Sequence, residues 1–248
     1  MIHLKAGLEV DSMRRAGRLS AQARALALSM IEPGVKTIEI DQEVERFIRA
    51  GGGIPAFLGY HGFPNSVCIS VNEAVIHGIP DGYEIQTGDI VSIDVGVLLD
   101  GFYGDCAATK GAGQITAEAQ RLIDTTQESF YKGLEFCKVG YRISDISHAI
   151  QSHAEGAGFS VVRDFIGHGI GKKLHEAPEV PNFGKAGRGP RLEAGMTLAI
   201  EPMVNQGQAE VVILADGWTV LTKDARLSAH YENTVLITDG QAEVLTSL

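Results

Sequence analysis

The chemistry of this sequence is concentrated in a few acidic and imidazole side chains. Asp94 ends the apolar run Ile90-Val91-Ser92-Ile93, and Asp105 follows the pair Asp100-Gly101. An Asp-Gly pair between two β-like runs signals a two-residue hairpin. A turn centred there pairs Leu99 with Phe102 and Gly96 with Asp105, which sets Asp94 and Asp105 diagonally on one face. Two carboxylates held together among apolar neighbours repel and lose hydration unless something neutralises them. A shared proton does this in an acid dyad; a divalent cation does it better when more ligands are at hand.

Further ligands are at hand. Glu201 precedes Pro202, which biases it toward extended backbone. Glu232 opens the run Glu232-Asn233-Thr234-Val235-Leu236-Ile237, and His168 lies in Gly167-His168-Gly169-Ile170-Gly171. Singly, an acid at a strand end reads as a solvated edge residue and a Gly-flanked histidine as a turn residue. Together, four carboxylates and one imidazole suit two divalent ions roughly 3.5–4 Å apart. Oxygen-rich ligation favours Mn²⁺, Fe²⁺ or Co²⁺ over a structural zinc site. His77 (before Gly78-Ile79-Pro80) and His175 (before Glu176-Ala177-Pro178) each sit at a turn entrance. They are either turn histidines or groups that hydrogen-bond a substrate carbonyl and pass protons to a leaving amine.

The elements that position these residues follow from periodicity. Apolar residues at three- and four-residue steps predict helices over 8–31, 38–50, 117–137 and 144–157. Short β-like runs cover 66–71, 90–98, 102–109, 196–203, 210–214, 218–222 and 231–237. The order is helix, helix, strands, and then the same again. Gly34 and Gly140 precede similar helices 106 positions apart (140 − 34), each with an acid five residues on, and Gly52 and Gly158 keep that offset. Gly88 through Asp94 aligns with Gly195 through Glu201 at an offset of 107 (201 − 94), as does His61-Gly62 with His168-Gly169. These landmarks predict an α/β (α+β type) chain of two similar halves, roughly 8–110 and 115–237, within one domain spanning 1–248 and with a site along the seam.

Composition bounds what else the chain does. With 21 basic and 31 acidic residues the net charge is −10, opposite to that of a protein that grips nucleic acid through phosphates. Lys172, Lys173, Lys185, Arg188 and Arg191 cluster locally and read by default as a solvated loop. Three dispersed cysteines without a CxxC pair fit reduced thiols. The first eleven residues lack the apolar core of a signal peptide, and no apolar run approaches the length of a membrane span. A cytoplasmic, monomeric enzyme without membrane association is expected.

Asp94 through Asp105, Gly167 through Gly171, Leu174-His175-Glu176-Ala177-Pro178, Ile200-Glu201-Pro202 and Tyr231-Glu232 resemble the type I methionine aminopeptidases, as does Ser70 through Pro80. The resemblance spans nearly the whole chain in order and spacing. It implies the pita-bread fold: two pseudo-symmetric halves, antiparallel sheet within and helices outside, with the metal site in the central cleft. It implies that Asp94, Asp105, His168, Glu201 and Glu232 ligate two divalent ions, with Asp105 and Glu232 bridging. It further implies hydrolysis of an N-terminal Met–Xaa bond with a small second residue, Glu201 assisting as base, His175 stabilising the oxyanion and His77 near the scissile amide. Nascent peptide N-termini are the implied partners, with the ribosome near its exit tunnel as a further one. The family pattern lines the methionine pocket with Phe57, Tyr60, Phe63, Cys68, Leu174 and Trp218. Phe57 stands where many members have cysteine and Leu174 where an aromatic is common, which either conserves the pocket's volume or shifts its preference. Relatives that cleave Xaa-Pro bonds usually carry an extra N-terminal domain, which is not expected here; another peptidase of this fold and a catalytically silent binding protein are the alternatives. Because Ile2 is large and β-branched, retention of Met1 is also expected.

Overall fold

The structure, a computed structural model, describes residues 2–248, so the expectation about Met1 concerns a residue outside the described ones. Two helices, Leu8–Ser29 (α1) and Thr37–Ala50 (α2), precede strands Ile54–Pro55 (β1), Cys68–Val71 (β2), Ala74–Ile76 (β3), Ile90–Leu99 (β4) and Phe102–Gly111 (β5). Helices Ala117–Leu134 (α3) and Ile143–Gly156 (α4) then lead into Ser160–Val161 (β6), Gly167–Gly169 (β7), Glu176–Val180 (β8), Thr197–Ile200 (β9) and Met203–Asn205 (β10). Val211–Ile213 (β11), Val220–Thr222 (β12), Ser228–His230 (β13), Asn233–Leu236 (β14) and Glu243–Val244 (β15) complete the order.

The helices lie close to their predicted bounds because their apolar stripes face the core. Ile40, Val44 and Ile48 of α2 and Leu122, Phe130, Ile146 and Ile150 of α3 and α4 are all buried. Both α2 and α4 have 14 residues and begin 106 positions apart (143 − 37). Each opens with the same half of a capping box, an acid at the third helical position reaching back: the Lys36 N–H donates to Glu39 Oε2 (3.1 Å) and the Arg142 N–H to Asp145 Oδ2 (2.8 Å).

Strands β4 and β5 form the long hairpin anticipated from Asp-Gly, pairing Leu99 with Phe102 and Gly96 with Asp105. Asp100 and Gly101 both have positive φ, 52° and 78°, the geometry that a tight right-twisted hairpin needs at both turn residues. On this hairpin sits α1, packed close enough that a Cβ on Gly104 would lie 2.7 Å from the Gly17 backbone. The hairpin's sheet includes β1 and β2, both paired with β4; the second main sheet runs β15-β14-β9-β7-β8. All pairings are antiparallel.

Three sequence expectations need correction. The run 196–203 breaks after Ile200, because Pro202 has no N–H to continue the ladder. The run 231–237 starts as a strand only at Asn233, since the Glu232 N–H donates across to the Ala107 carbonyl (2.9 Å) rather than along its own sheet. His168 lies in strand β7, which falls outside the predicted β-like runs. Its neighbours are glycines because β7 is squeezed between β8 and β9: a Cβ on Gly167 would collide with the Ala199 carbonyl, and one on Gly169 with that of Ala177.

Candidate metal centre and substrate pocket

The two main sheets meet along β5 and β14. Ala107 and Glu232 exchange backbone hydrogen bonds, and the Thr234 hydroxyl accepts from the Asp105 N–H (3.0 Å) while donating to its carbonyl (2.9 Å). Two acids from separate halves of the sequence, Asp105 and Glu232, are thereby fixed side by side. Asp94 stands one diagonal away from Asp105 on β4, and its backbone partner on β2 is Cys68. Glu201 directly follows β9, with its carbonyl held by the buried Asn182 amide (3.0 Å).

His168 enters from β7. Its Nδ1–H donates to the Gly169 carbonyl (2.9 Å), which leaves Nε2 as a free lone pair 3.6 Å from Glu201 Oε1. A ring nitrogen freed in this way is the usual state of a metal-ligating histidine. One ligand atom each from Asp105, His168 and Glu232 lies within 4.8 Å of the others, and all three residues are buried.

The electrostatics of the group are those of an incomplete site. Asp94 Oδ1, Asp105 Oδ1 and Glu232 Oε1 are buried without hydrogen-bond partners, a costly state for carboxylates. Burial, reinforced by neighbouring acids, holds Asp94, Glu201 and Glu232 well above the ordinary carboxylate range, and burial raises Asp105 to about 7. Four crowded acids beside a neutral imidazole fit divalent cations, which satisfy the orphaned oxygens and cancel the repulsion.

The residues singled out from sequence converge on one cavity of about 140 Å³. The five ionisable candidates line it together with His77, His175 and the six pocket residues Phe57, Tyr60, Phe63, Cys68, Leu174 and Trp218. His77 follows β3 in a left-handed conformation (φ 57°) and meets Trp218 and Phe165 edge-on. His175 lies against His168 (ring centroids 4.2 Å). Burial, then the proximity of His175, lowers His77 to about 4; the same two causes lower His168 to about 4, and burial lowers His175. His77 and His168 are therefore neutral at pH 7.

The bulky Phe57 is accommodated by a glycine. Its ring lies over Gly96, where a Cβ would come within 2.6 Å of the ring edge, so the aromatic wall sinks into the hairpin floor. Leu174 is buried and lines the same cavity. Three residues near the site escaped the sequence reading. Arg24 on α1 donates to the carbonyls of Ala107 (3.2 Å), Glu232 (2.9 Å) and Thr246 (3.2 Å), stitching the seam. His230 has a buried, unpartnered Nε2 3.8 Å from Glu232 Oε2. Lys5 forms a 2.7 Å ion pair with Glu176, beside His175. Neither periodicity nor a local motif marks these positions. Within the basic cluster, Lys172 pairs with Glu9 (2.7 Å), while Lys173, Lys185, Arg188 and Arg191 are exposed.

Residues 11–239 match the model of metallopeptidase family M24. The chain belongs to metallopeptidase family M24. Within this family it is 56% identical over 246 residues to a methionine aminopeptidase of Clostridium perfringens (strain 13 / Type A), covering 99% of both chains. The crystal structure of methionine aminopeptidase from Rickettsia prowazekii superposes with a TM-score of 0.98 at 40% identity, with both chains fully covered. A prolidase from Pyrococcus furiosus shares the pita-bread fold at a TM-score of 0.81, but at 22% identity and with only 65% of its own chain covered. That likeness is one of fold alone. No helix among the described residues is long and apolar enough to cross a membrane.

Proposed function

We propose that this M24 member hydrolyses the bond after an N-terminal methionine of nascent polypeptides, with a small second residue preferred. The observation that carries this reading is the cavity in which an orphaned carboxylate–imidazole cluster shares its walls with an apolar pocket. Its volume of about 140 Å³ is close to the ~150 Å³ of an engineered cavity that takes up one benzene, the scale of a single side chain.

Asp94, Asp105, His168, Glu201 and Glu232 would hold two divalent ions, Co²⁺, Mn²⁺ or Fe²⁺, with Asp105 and Glu232 bridging. Bound ions would supply Lewis acidity to the scissile carbonyl and to the attacking water. Phe57, Tyr60, Phe63, Cys68, Leu174 and Trp218 take the methionine side chain and fix the register of the peptide. Glu201 takes the proton of the attacking water. His175 donates a hydrogen bond to the carbonyl oxygen as negative charge develops there, and His77 contacts the scissile amide. Desolvation disfavours the charged form of both rings, which suits them to act as neutral N–H donors.

The same proposal takes the chain as one catalytic domain, 1–248, with repeated halves 8–110 and 115–237; the matched caps of α2 and α4 support it. It also places a monomer in the cytoplasm, acting where chains leave the ribosome, since that is where initiator methionines are presented. The test is methionine release from Met-Ala-Ser, with Xaa-Pro peptides as controls, by chelated and metal-loaded protein. Metal-dependent release from Met-Ala-Ser is expected; its absence, or cleavage of the Xaa-Pro peptides instead, overturns the reading.

A further inference from the structure

Tyr60 does more than line the pocket. Its hydroxyl lies 2.7 Å from His175 Nδ1, and the phenol ring is tilted beside the imidazole at 5.4 Å. The loop that presents it is tightly closed: the Gly59 N–H donates to the Phe63 carbonyl (2.8 Å), the Tyr60 N–H to that of Phe57 (2.9 Å) and the Phe63 N–H to that of Tyr60 (2.9 Å). His175 is braced from its chain neighbour as well, because Glu176 is held by the Lys5 ammonium at 2.7 Å and by the Lys173 N–H at 3.1 Å.

A neutral imidazole carries one proton, on Nδ1 or on Nε2, and the partner of one nitrogen decides the state of the other. A phenol O–H is a stronger donor than an imidazole N–H, and an imidazole nitrogen is a better acceptor than a phenol oxygen. The Tyr60 O–H therefore donates to Nδ1, and the proton stays on Nε2. We propose that Tyr60 is a positioning residue that holds His175 as its Nε2–H tautomer, so that Nε2 can donate to the carbonyl oxygen of the scissile bond. This inference rests on the role given to His175 above. In the alternative tautomer Nε2 would present a lone pair to a developing negative charge and repel it, so the tautomer matters in the transition state rather than in peptide binding.

Tyr60→Phe keeps the aromatic wall and removes only the hydroxyl. With metal-loaded protein and Met-Ala-Ser, kcat is expected to fall by tenfold or more, with KM within about twofold and with metal content and thermal midpoint unchanged. A residue that only forms the wall would leave kcat unaltered. The same substitution placed on His175→Ala is expected to have no further effect, since its target is gone. Unchanged kcat in Tyr60→Phe, or an equal loss in the His175→Ala background, overturns the proposal. If His175→Ala itself keeps full activity, the role of His175 falls and this inference with it. Loss in His175→Ala but none in Tyr60→Phe overturns the Tyr60 inference alone.

Discussion

Ala107 and Glu232 exchange two backbone hydrogen bonds, with the Ala107 N–H donating to the Glu232 carbonyl at 3.2 Å and the Glu232 N–H to the Ala107 carbonyl at 2.9 Å. This pair joins the hairpin sheet to the second sheet. It fixes Glu232 opposite the strand that carries Asp105, two residues before Ala107. The side chains that need a cation are thus held together by main chain, which does not depend on the cation being present.

Arg24 reinforces that junction by donating to both carbonyls from α1. Arg24→Met removes a half-buried charged donor and is expected to cost about 2 kcal/mol of stability. Urea denaturation of the metal-free protein measures the loss. An unchanged midpoint would show that the seam needs no such stitch.

The metal-free protein has a pH dependence whose sign follows from the buried acids. Asp105 titrates near 7 in the fold against roughly 3.9 unfolded, and Asp94, Glu201 and Glu232 are raised as well. A raised pKa in the fold gives stability that is present at low pH and lost as pH rises through the folded value. His77, His168 and His230, lowered to about 4, 4 and 3, act oppositely, but only below their unfolded pKa of about 6.5. Between pH 6.5 and 8 the carboxylates act alone, so the thermal midpoint of chelated protein is expected to fall. Metal-loaded protein should lose this decline, because deprotonated ligands bind metal better. A chelated midpoint that rises over the same window contradicts the account of the acids.

Gly96 makes room for Phe57. In Gly96→Ala the new methyl would meet the Phe57 ring edge at 2.6 Å and the Ala56 methyl at 2.9 Å, pushing the ring into the pocket. KM for Met-Ala-Ser is expected to rise about tenfold, an effect of ~1.4 kcal/mol, with metal content unchanged. Adding Phe57→Leu, which removes the clashing ring but keeps an apolar wall, should bring KM back toward the wild-type value. An unaffected KM in the single variant would mean that the ring does not wall the methionine site.

Lys5 is the buried partner of Glu176, its side chain 1% exposed. Lys5→Met leaves that carboxylate unpaired at a mostly buried position, a loss of about 3 kcal/mol. Differential scanning calorimetry would register it, and an unchanged unfolding temperature would show that the pair is not structural.

The legible parts of this molecule are those that local rules govern. Asp-Gly specified the register of the hairpin, and so the diagonal of Asp94 and Asp105, because turn chemistry fixes strand pairing. The helices were legible from their apolar stripes, and the spacing of Gly34, Gly52, Gly140 and Gly158 matches the spacing of α2 and α4. Strand β7 around His168 is not legible, because flanking glycines look alike in sequence whether they serve a turn or a strand pressed between two others. The late start of β14 after Glu232 is not legible because its cause, a bond to Ala107, lies 125 positions away (232 − 107). Arg24 and Lys5 act through such distant contacts too. Tyr60 was legible as a pocket wall, but the contact of its hydroxyl with His175 lies 115 residues away.

Whether the buried acids and His168 hold metal for peptide hydrolysis is decided by one experiment. The most direct measurement is metal titration of chelated protein by calorimetry, with methionine release from Met-Ala-Ser followed on the same samples, for the wild type and for Glu232→Gln. The wild type is expected to bind two ions and to gain activity as they bind; Glu232→Gln is expected to lose both while its circular dichroism stays native. Full metal binding and methionine release by natively folded Glu232→Gln would contradict the proposed metal centre.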